Sequence, residues 1–325
     1  MTDDARWMAA AASLAARARP LSRPNPGVGA IVVQAGRVVG RGWTHPGGRP
    51  HAEAVALEQA GAAARGATLY VTLEPCAHQS SRGPDCAGLV AASGVSRVVI
   101  GCGDPDSRTA GAGIERLRSA GIAVTALHAP EAEASLAGYL LQRRQGRPEI
   151  TLKLALSLDG CIALANGESQ WITGPEARAH AHALRARMDA ILVGGGTLRA
   201  DAPRLDVRLP GLEARKPDRW LLTRGTAPEG WNTLARPEDV HTMADVQYLL
   251  VEGGAAAAAA FLSAGLVDRL LIYRAPIVLG GGQPGIADLG LTRLADAHGQ
   301  WCEVERLKLG KDTLEVYSRA QCSLA

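Results

Sequence analysis

The sequence predicts an α/β protein of two domains, and three observations support this. The chain has 325 residues, and one domain usually takes roughly 100–200 residues. β-rich runs alternate with helical patterns, which is typical of a sheet covered by helices. A polar stretch with Gly and Pro, "RRQGRPE" at 143–149, lies near the middle, and a new β-rich run starts directly after it. We therefore expect domains over 1–146 and 147–325.

The elements of the first domain each have a local reason. The alanine-rich start, punctuated by arginines, predicts a helix. Two β-rich runs within 29–43 flank Ala35-Gly36, which is a hairpin pattern. The run "HAEAVALEQAG" predicts a helix that ends at Gly61, because glycine is favoured just after a helix. Further strands are predicted at 67–75, 96–105 and 122–128, and further helices at 86–94, 111–121 and 131–145.

The second domain is read in the same way. Its first strand, "ITLKLALSLDG", ends in a turn. Residues 225–246 carry no pattern that favours a helix or a strand. The remaining segments predict strands at 189–196, 219–225, 247–254, 268–281 and 301–319, and helices at 176–188 and 255–265.

Composition restricts the classes of partner. The net charge is only +3, and no run of five like charges occurs, so charge gives no argument for nucleic acid. No apolar stretch approaches the ~20 residues of a membrane span, and the N-terminus does not resemble a signal peptide. The six cysteines are scattered in a chain too long to need disulfides. We expect a soluble cytoplasmic protein with reduced thiols that binds neither nucleic acid nor membrane.

Three side chains of the first domain have the donor types that zinc prefers. His51, Cys76 and Cys86 give the three ligands of a catalytic zinc, which leaves a fourth position for water. "HAE" and "EPC" match the H-x-E…P-C-x-x-C pattern of zinc nucleobase deaminases, in which the Glu moves protons and is not a ligand. This predicts Glu53 as the general acid–base group. We expect His51 and Cys76 to lie at helix starts, where backbone N–H groups stabilise a thiolate.

Each part of this motif has a simpler interpretation when taken alone. An isolated H-x-E usually consists of exposed polar residues without a catalytic role, and an isolated buried Cys usually serves as a small apolar residue. The combination, in this order around a β-run, is far more specific. Nine residues separate Cys76 from Cys86, where the pattern has two. This insert is expected to fold over the pocket and to supply His78 and Arg82 to a substrate, although an exposed loop arginine is the alternative for Arg82.

Two glycine-rich turns follow predicted strands of the second domain. "VGGGT" at 193–197 and "VEGG" at 251–254 would let a backbone approach a cofactor closely, and N–H groups at a helix start bind phosphate. Each turn alone is ordinary loop chemistry, and neither turn has the form G-x-G-x-x-G with an acid about twenty residues on, which disfavours a classical Rossmann site. Lys153 lies in a strand between leucines, which is costly unless the lysine is functional or at an edge. We favour a function for Lys153.

Taken together, the motifs resemble one family along nearly the whole chain. "NPGVGAIVV", "HAEA", "VTLEPCAHQSSRGPDC" and "GCGDPD" resemble the deaminase domain of the bifunctional riboflavin-biosynthesis deaminase/reductases. "LKLALSLDG", "GESQWITG", "ILVGGGTLRADAPRLDVR" and "LLVEGG" resemble the reductase domain. The resemblance implies a cytidine-deaminase-like α/β/α domain with one zinc ion, followed by a dihydrofolate-reductase-like α/β domain that uses NADPH.

The resemblance also implies the reaction. The first domain would hydrolytically deaminate 2,5-diamino-6-(5-phosphoribosylamino)pyrimidin-4(3H)-one, and the second would reduce the ribosyl group of the product to ribityl. The substrates are then small phosphoribosyl pyrimidines, and we expect a homo-oligomer. Three departures from the family pattern occur: the segment between Cys76 and Cys86 is one residue longer, Asp106 replaces the usual Asn, and the 225–246 region is shorter.

Site residues are implied position by position. Glu53 and Lys153 are the catalytic residues, and His51, Cys76 and Cys86 the metal ligands. An ordinary turn is the alternative interpretation of Asn25, and a solvated turn that of Asp104 and Asp106. The cofactor contacts are Trp171, Thr197, Asp201, Thr223 and Gly254. The substrate contacts are Asn25, Arg82, Asp104, Asp106, Ser169, Arg185, Leu205, Arg208 and Glu252.

Two rival interpretations are considered. A tRNA or DNA deaminase with an appended domain is disfavoured by the mild charge and by the long insert between the cysteines. A binding protein with only a structural zinc is disfavoured by Glu53, because zinc binding does not need this residue.

Overall fold

The computed structural model describes residues 3–78 and 83–320. The chain divides into two compact units, Met1–Gly146 and Arg147–Ala325. Each unit has its own sheet and its own buried core. Within the described ranges, no helix is both long and apolar enough to cross a membrane.

The first unit is a five-stranded sheet in the order β2-β1-β3-β4-β5. Strand β1 is antiparallel to β2 and β3, whereas β3, β4 and β5 are parallel. Its strands are β1 (Gly29–Gln34), β2 (Arg37–Trp43), β3 (Thr68–Leu73), β4 (Arg97–Cys102) and β5 (Ala123–Ala126). Its helices are α1 (Asp3–Ala15), α2 (Ala52–Ala60), α3 (Cys86–Ala92), α4 (Ala112–Ser119), α5 (Pro130–Ser135) and α6 (Ala137–Gln145).

Helices cover both faces of this sheet, which makes three layers. Strand residues alternate between two cores, as the period of two requires: Ile31 packs with α1 and α5, and Val32 packs with α2 and α3. The helices lie close to the sheet because many of the side chains that face it are alanines. A Cβ on Gly29 would lie 2.0 Å from the carbonyl oxygen of Ala11, so glycine is required there. Small residues at these contacts let a core with few aromatic side chains close without voids.

The second unit contains an eight-stranded sheet in the order β10-β9-β8-β11-β6-β12-β15-β14. Strands from β10 to β12 are parallel along this order, and β15 runs antiparallel between β12 and β14. The strands of this sheet are β6 (Glu149–Leu156), β8 (Ala190–Gly194), β9 (Asp218–Leu222), β10 (Asn232–Leu234), β11 (Tyr248–Val251), β12 (Arg269–Arg274), β14 (Trp301–Leu309) and β15 (Asp312–Arg319). Strands β7 (Cys161–Ala163) and β13 (Gln283–Pro284) pair with each other in a separate two-stranded sheet. The helices are α7 (Pro175–Arg185), α8 (Gly195–Asp201) and α9 (Ala255–Ser263).

The structure corrects several predicted elements. The helix predicted at 131–145 is two helices, because Leu136 leaves helical angles (φ −110°, ψ 5°) while it stays fully buried. The strand predicted at 268–281 ends at Arg274, and the one predicted at 189–196 ends at Gly194, where α8 begins. The unassigned stretch 225–246 contains β10 and a 3₁₀ helix at Pro237–Thr242.

Candidate active sites

The three predicted zinc ligands lie together in the first unit. His51 is the N-cap of α2, Cys76 follows β3, and Cys86 is the first residue of α3. His51 Nδ1 is 3.1 Å from Cys86 Sγ and 3.7 Å from Cys76 Sγ. The three ligand atoms lie within 4.8 Å of one another, and both sulfurs are buried. One nitrogen and two sulfurs at this separation fit a zinc ion.

The expected position of Cys76 at a helix start is wrong. The residue lies in an irregular segment after β3, because the proline before it cannot extend the sheet. The N–H group that stabilises its sulfur comes from elsewhere: the backbone N–H of Cys86, at the start of α3, donates to Cys76 Sγ over 3.4 Å. Hydrogen bonds from the Cys86 thiol and from His51 lower the pKa of Cys76 to about 4, against the effect of burial. These hydrogen bonds favour the thiolate of Cys76, and a thiolate is the form of cysteine that binds metal.

Glu53 lies in the first turn of α2, two residues from His51. Its side chain has the same buried surroundings as the sulfurs, and the residue is only 3% exposed. Burial raises the pKa of this carboxyl group, an effect that the nearby His51 charge partly offsets. A carboxyl group with a raised pKa can both accept and return a proton near neutral pH.

A cavity of about 230 Å³ opens beside these residues. It lies at the edge where the parallel strands β3 and β4 end, which is where α/β sheets bind ligands. The predicted residues Asn25, Asp104 and Asp106 line it together with His51, Glu53 and Cys76. Among the lining residues that the sequence did not indicate, four are charged, namely Glu74, Arg49, Arg108 and Arg143.

The pKa values of the two predicted aspartates of the cavity are shifted in opposite directions. Burial raises the pKa of Asp104, which accepts a hydrogen bond of 2.8 Å from the Tyr139 hydroxyl. Two hydrogen bonds of 2.9 and 2.6 Å from Arg108 lower the pKa of Asp106 well below its usual range. Arg143 adds an ion pair at 3.8 Å. Asp106 is thus a fixed anion, whereas Asp104 can donate or accept. The predicted Arg82 lies outside the described residues, and His78 Nδ1 is 3.4 Å from Thr109 Oγ1.

In the second unit, three predicted residues form a buried charge cluster. Arg185 of α7 binds Glu252 with two hydrogen bonds of 2.7 and 2.8 Å, and Lys153 of β6 lies 3.8 Å from the same carboxylate. Burial alone would raise the pKa of Glu252, but Lys153 and Arg185 outweigh it and hold the pKa at about 2. The Lys153 ammonium also lies 5.6 Å from the ring centre of Tyr273, whose hydroxyl contacts His180. Lys153 is therefore a partnered cation inside the sheet and not an edge lysine.

The two glycine-rich turns lie side by side, because β8 and β11 are neighbouring parallel strands. The backbone N–H of Gly254 donates to Thr197 Oγ1 over 2.9 Å, which joins the turns directly. Helices α8 and α9 begin at these turns, so their first N–H groups lie at the same sheet edge. This brings the predicted Thr197 and Gly254 together and gives a phosphate-binding geometry.

The other predicted residues of the second unit lie in separate segments of the chain. Leu205 is buried with φ +54°, and the Arg208 backbone N–H donates to His182 Nδ1 over 3.3 Å. Trp171 is 63% exposed and stacks under the guanidinium of Arg178 at 4.7 Å. Thr223 follows β9, Asp201 ends α8, and Ser169 precedes Trp171 in an irregular segment. Sequence reasoning missed Tyr273 and His182, whose positions have no distinctive local pattern.

Comparisons with known proteins match each half of the chain. A model described as the cytidine and deoxycytidylate deaminase zinc-binding region matches residues 1–102, and one described as the RibD C-terminal domain matches 148–236 and 237–312. The riboflavin biosynthesis protein RibD of Escherichia coli is 40% identical over 344 residues, which cover 90% of this chain and 94% of that protein. RibD of Mycobacterium tuberculosis is 40% identical over 309 residues, with 90% of each chain covered.

Solved structures give the same result. A RibD structure from Acinetobacter baumannii matches with a TM-score of 0.83 and 33% identity, and covers 98% of this chain and 99% of that chain. A diaminohydroxyphosphoribosylaminopyrimidine deaminase/5-amino-6-(5-phosphoribosylamino)uracil reductase from Thermotoga maritima matches with a TM-score of 0.85 and 29% identity over 97% of this chain and 98% of that one. These full-length matches confirm the predicted order of the two α/β domains. They favour the bifunctional interpretation over a nucleic-acid deaminase with an appended domain. The chain therefore belongs to the RibD family, the bifunctional deaminase/reductases of riboflavin biosynthesis.

Proposed function

We propose that the first unit hydrolytically deaminates 2,5-diamino-6-(5-phosphoribosylamino)pyrimidin-4(3H)-one. The second unit then reduces the ribosyl side chain of 5-amino-6-(5-phosphoribosylamino)uracil to ribityl with NADPH. The observation that carries the proposal is the buried His51, Cys76 and Cys86 group, which lies with Glu53 at one cavity. Neither a binding protein nor a purely structural zinc site needs a buried acid there.

The deaminase residues divide the work between binding and proton transfer. His51, Cys76 and Cys86 would hold one zinc ion, which when bound acts as a Lewis acid that lowers the pKa of water to about 7. Glu53 accepts a proton as water adds to the pyrimidine carbon and returns it to the departing amine. The C–N bond breaks, a C=O bond forms, and ammonia leaves. The burial of Glu53 favours this role because it excludes bulk water from the carboxyl group.

Residues of the cavity wall would bind the substrate in this unit. Asn25 and Asp104 offer an amide and a carboxyl group that can pair with the donors and acceptors of a pyrimidine edge. Asp106, held by Arg108, suits the ribose hydroxyl groups. Arg82 remains the predicted phosphate ligand, because a guanidinium matches two phosphate oxygens.

The reductase residues form the second proposed site. NADPH, which supplies the reducing equivalent, would lie along the paired glycine turns, with contacts from Trp171, Thr197, Asp201, Thr223 and Gly254. Lys153 would hydrogen-bond the sugar oxygen that gains a proton on reduction, and Glu252, 3.8 Å away, orients the lysine. Substrate contacts are proposed for Ser169, Arg185, Leu205, Arg208 and Glu252. We also propose a homo-oligomer, which light scattering of the purified chain would test.

Separate measurement of the two products tests the proposal. The purified full-length chain is given the diamino substrate with and without NADPH, and ammonia and the ribityl product are quantified. We expect ammonia in both reactions and the ribityl product only with NADPH. A zinc chelator should stop ammonia release and spare the reduction of added deaminated intermediate. Active protein without about one zinc ion per chain would contradict the ligand assignment.

A further inference from the structure

We infer that Glu74 and Asp85 are positioning residues that tie the two cysteine ligands to one helix, α4. Glu74 stands two residues before Cys76, and Asp85 stands directly before Cys86. Each carboxylate binds α4 at a different point. The inference rests on the zinc ligands of the proposed function.

Glu74 joins the first cysteine segment to the start of α4. Its buried carboxylate accepts hydrogen bonds from three backbone N–H groups, those of Gly111, Gly113 and Ile114, over 3.1, 3.0 and 3.2 Å. These are the N–H groups that a helix start leaves without partners inside the helix. A Cβ on Gly113 would lie 2.1 Å from the carbonyl oxygen of Pro75. The start of α4 therefore rests directly on the segment that leads into Cys76.

Asp85 joins the second cysteine to the same helix. It is the N-cap of α3, and its carboxylate accepts the backbone N–H of Gly88 over 2.7 Å. The same carboxylate forms a 2.9 Å ion pair with Arg116 of α4. The Asp85 side chain is 11% exposed and that of Arg116 is 47% exposed. Asp85 thus fixes both the start of α3, which is Cys86, and its distance from α4.

A shared support matters because the chain alone does not fix the cysteine separation. Nine residues connect Cys76 to Cys86, and zinc tolerates only about 0.2 Å of error in ligand distance. A direct backbone hydrogen bond from Ala87 N–H to the Cys76 carbonyl adds a second link of 3.0 Å. Groups that orient metal ligands typically change metal affinity about 10–100-fold when they are removed. We therefore expect the bonds to α4 to contribute to zinc affinity.

Zinc competition against a chelator, with full-length protein, tests the inference. Arg116→Met breaks only the ion pair, and Asp85→Asn breaks the same pair but keeps an oxygen to cap α3. Each should lower zinc affinity about tenfold, and the double variant should lose no more than either single variant, because they remove one interaction. Asp85→Ala also removes the cap and should lose more. Neither residue lines the cavity, so the KM of the zinc-loaded deaminase should stay unchanged.

Arg97→Met is the matched control. It breaks the ion pair of Arg97 with Asp4, which belongs to the same unit and holds α1. This variant should lose thermal stability and keep full zinc affinity. Zinc affinity unchanged in all Asp85 and Arg116 variants, with the wild type binding one zinc ion, would overturn the inference and leave the proposed function intact. A wild type that binds no zinc would instead overturn the proposed ligands.

A second variant, Glu74→Gln, tests the link between the Cys76 segment and α4. The glutamine keeps one acceptor but turns a donor toward the N–H groups of α4, so zinc affinity should fall. Because Glu74 also lines the cavity, the deaminase KM should rise as well. If this variant fails to fold, the Arg116→Met result still decides, since Arg116 is half exposed and its loss leaves the core intact. An Arg116→Met affinity equal to that of the wild type contradicts the inference in that case also.

Discussion

At the scale of single residues, burial decides what a carboxyl group can do. Glu53 is 3% exposed and the Glu252 side chain is 8% exposed, but their pKa values move in opposite directions. Glu53 has no guanidinium or ammonium partner in the described part of the chain, so desolvation favours its neutral form. Glu252 has Arg185 and Lys153, whose charges favour its ionised form. The first carboxyl group suits proton transfer and the second suits holding a cation in place.

The role of Glu53 leads to a prediction for the deaminase half. Glu53→Gln removes the proton carrier and keeps the shape, so ammonia release should fall about 10²–10⁴-fold. Zinc content should stay at about one ion per chain, because this residue is not among the three ligand groups. Reduction of the deaminated intermediate by the same preparation serves as the control and should be unchanged. A variant that deaminates at nearly the normal rate would exclude Glu53 as the proton carrier.

The lowered pKa of Glu252 predicts how stability of the second unit depends on pH. Its pKa is about 2 in the folded protein and 4.5 as the ordinary value. The ionised form therefore contributes stability above pH 4.5, and this contribution is lost as pH falls toward 2. Glu252→Gln should lower the free energy of unfolding at pH 7, because Arg185 loses its charge partner in a buried site. Chemical unfolding of the 147–325 unit at several pH values checks this.

The decisive measurement compares the free energy of unfolding of the wild type with that of the Glu252→Gln variant at each pH. The wild-type and Glu252→Gln curves should differ most at neutral pH and approach each other in acid. A constant difference across the range would mean that the charge of Glu252 does not stabilise the fold.

At the scale of elements, an ion pair fastens α1 to the sheet. Asp4 accepts hydrogen bonds of 2.9 and 2.7 Å from Arg97 of β4, and one of 2.9 Å from the Tyr70 hydroxyl of β3. These bonds lower the pKa of Asp4. Because both charged side chains are partly exposed, we expect Asp4→Asn to cost about 1 kcal/mol at pH 7. The difference should shrink as pH falls below the ordinary pKa of 3.8 and vanish only below the lowered pKa of the folded protein, where the wild-type carboxyl group is protonated too.

Thermal unfolding of the first unit measures this effect. Asp239→Asn is a control, because its ion pair with Arg236 lies in the second unit, with side chains 27% and 71% exposed, and its loss should leave the midpoint of the first unit unchanged. A midpoint for Asp4→Asn equal to that of the wild type would mean that the apolar face of α1 alone holds the helix.

Some elements were predictable from local pattern and others were not. The hairpin around Ala35-Gly36 and the end of α2 at Gly61 follow from turn chemistry, and both are present. Helix α8 was missed because it begins with glycines, which disfavour helices. Its position depends instead on tertiary contact, including the Thr197 hydroxyl that accepts the N–H of Gly254. The break at Leu136 has the same origin, since the burial of that side chain overrides a continuous helical pattern.

At the scale of the whole molecule, strand order is what the sequence could not provide. Alternation of strands and helices predicts two layered sheets, but β11 inserts between β8 and β6 through crossovers that local pattern does not specify. This insertion places β11 next to β6, so that Glu252, which follows β11, lies beside Lys153 of β6. The metal ligands were predictable because zinc requires particular donor atoms in a recognisable order. Partners such as Tyr273 and Glu74 are ordinary residues whose roles exist only in three dimensions.

The division after Gly146 predicts that the reductase half works alone. The second unit has its own sheet and core, and Arg147 begins it by binding Asp268 with two hydrogen bonds of 2.7 and 2.8 Å. Asp268 also accepts the N–H of Ile150 over 2.8 Å, which fixes the start of β6 and therefore Lys153. A fragment of residues 147–325 should fold cooperatively and reduce the deaminated intermediate with NADPH at a rate near that of the full chain.

The choice of first residue sharpens this prediction. A fragment that starts at residue 149 loses Arg147 and leaves Asp268 without its guanidinium partner, so it should unfold at a lower denaturant concentration than the 147–325 fragment. Arg147→Met in the longer fragment should reproduce this loss, which would assign it to the ion pair and not to the missing backbone. Urea unfolding followed by fluorescence, together with NADPH oxidation, measures both properties. If the 147–325 fragment folds but does not reduce the intermediate while the full chain does, the reductase site needs the first unit, and the two activities are not separable.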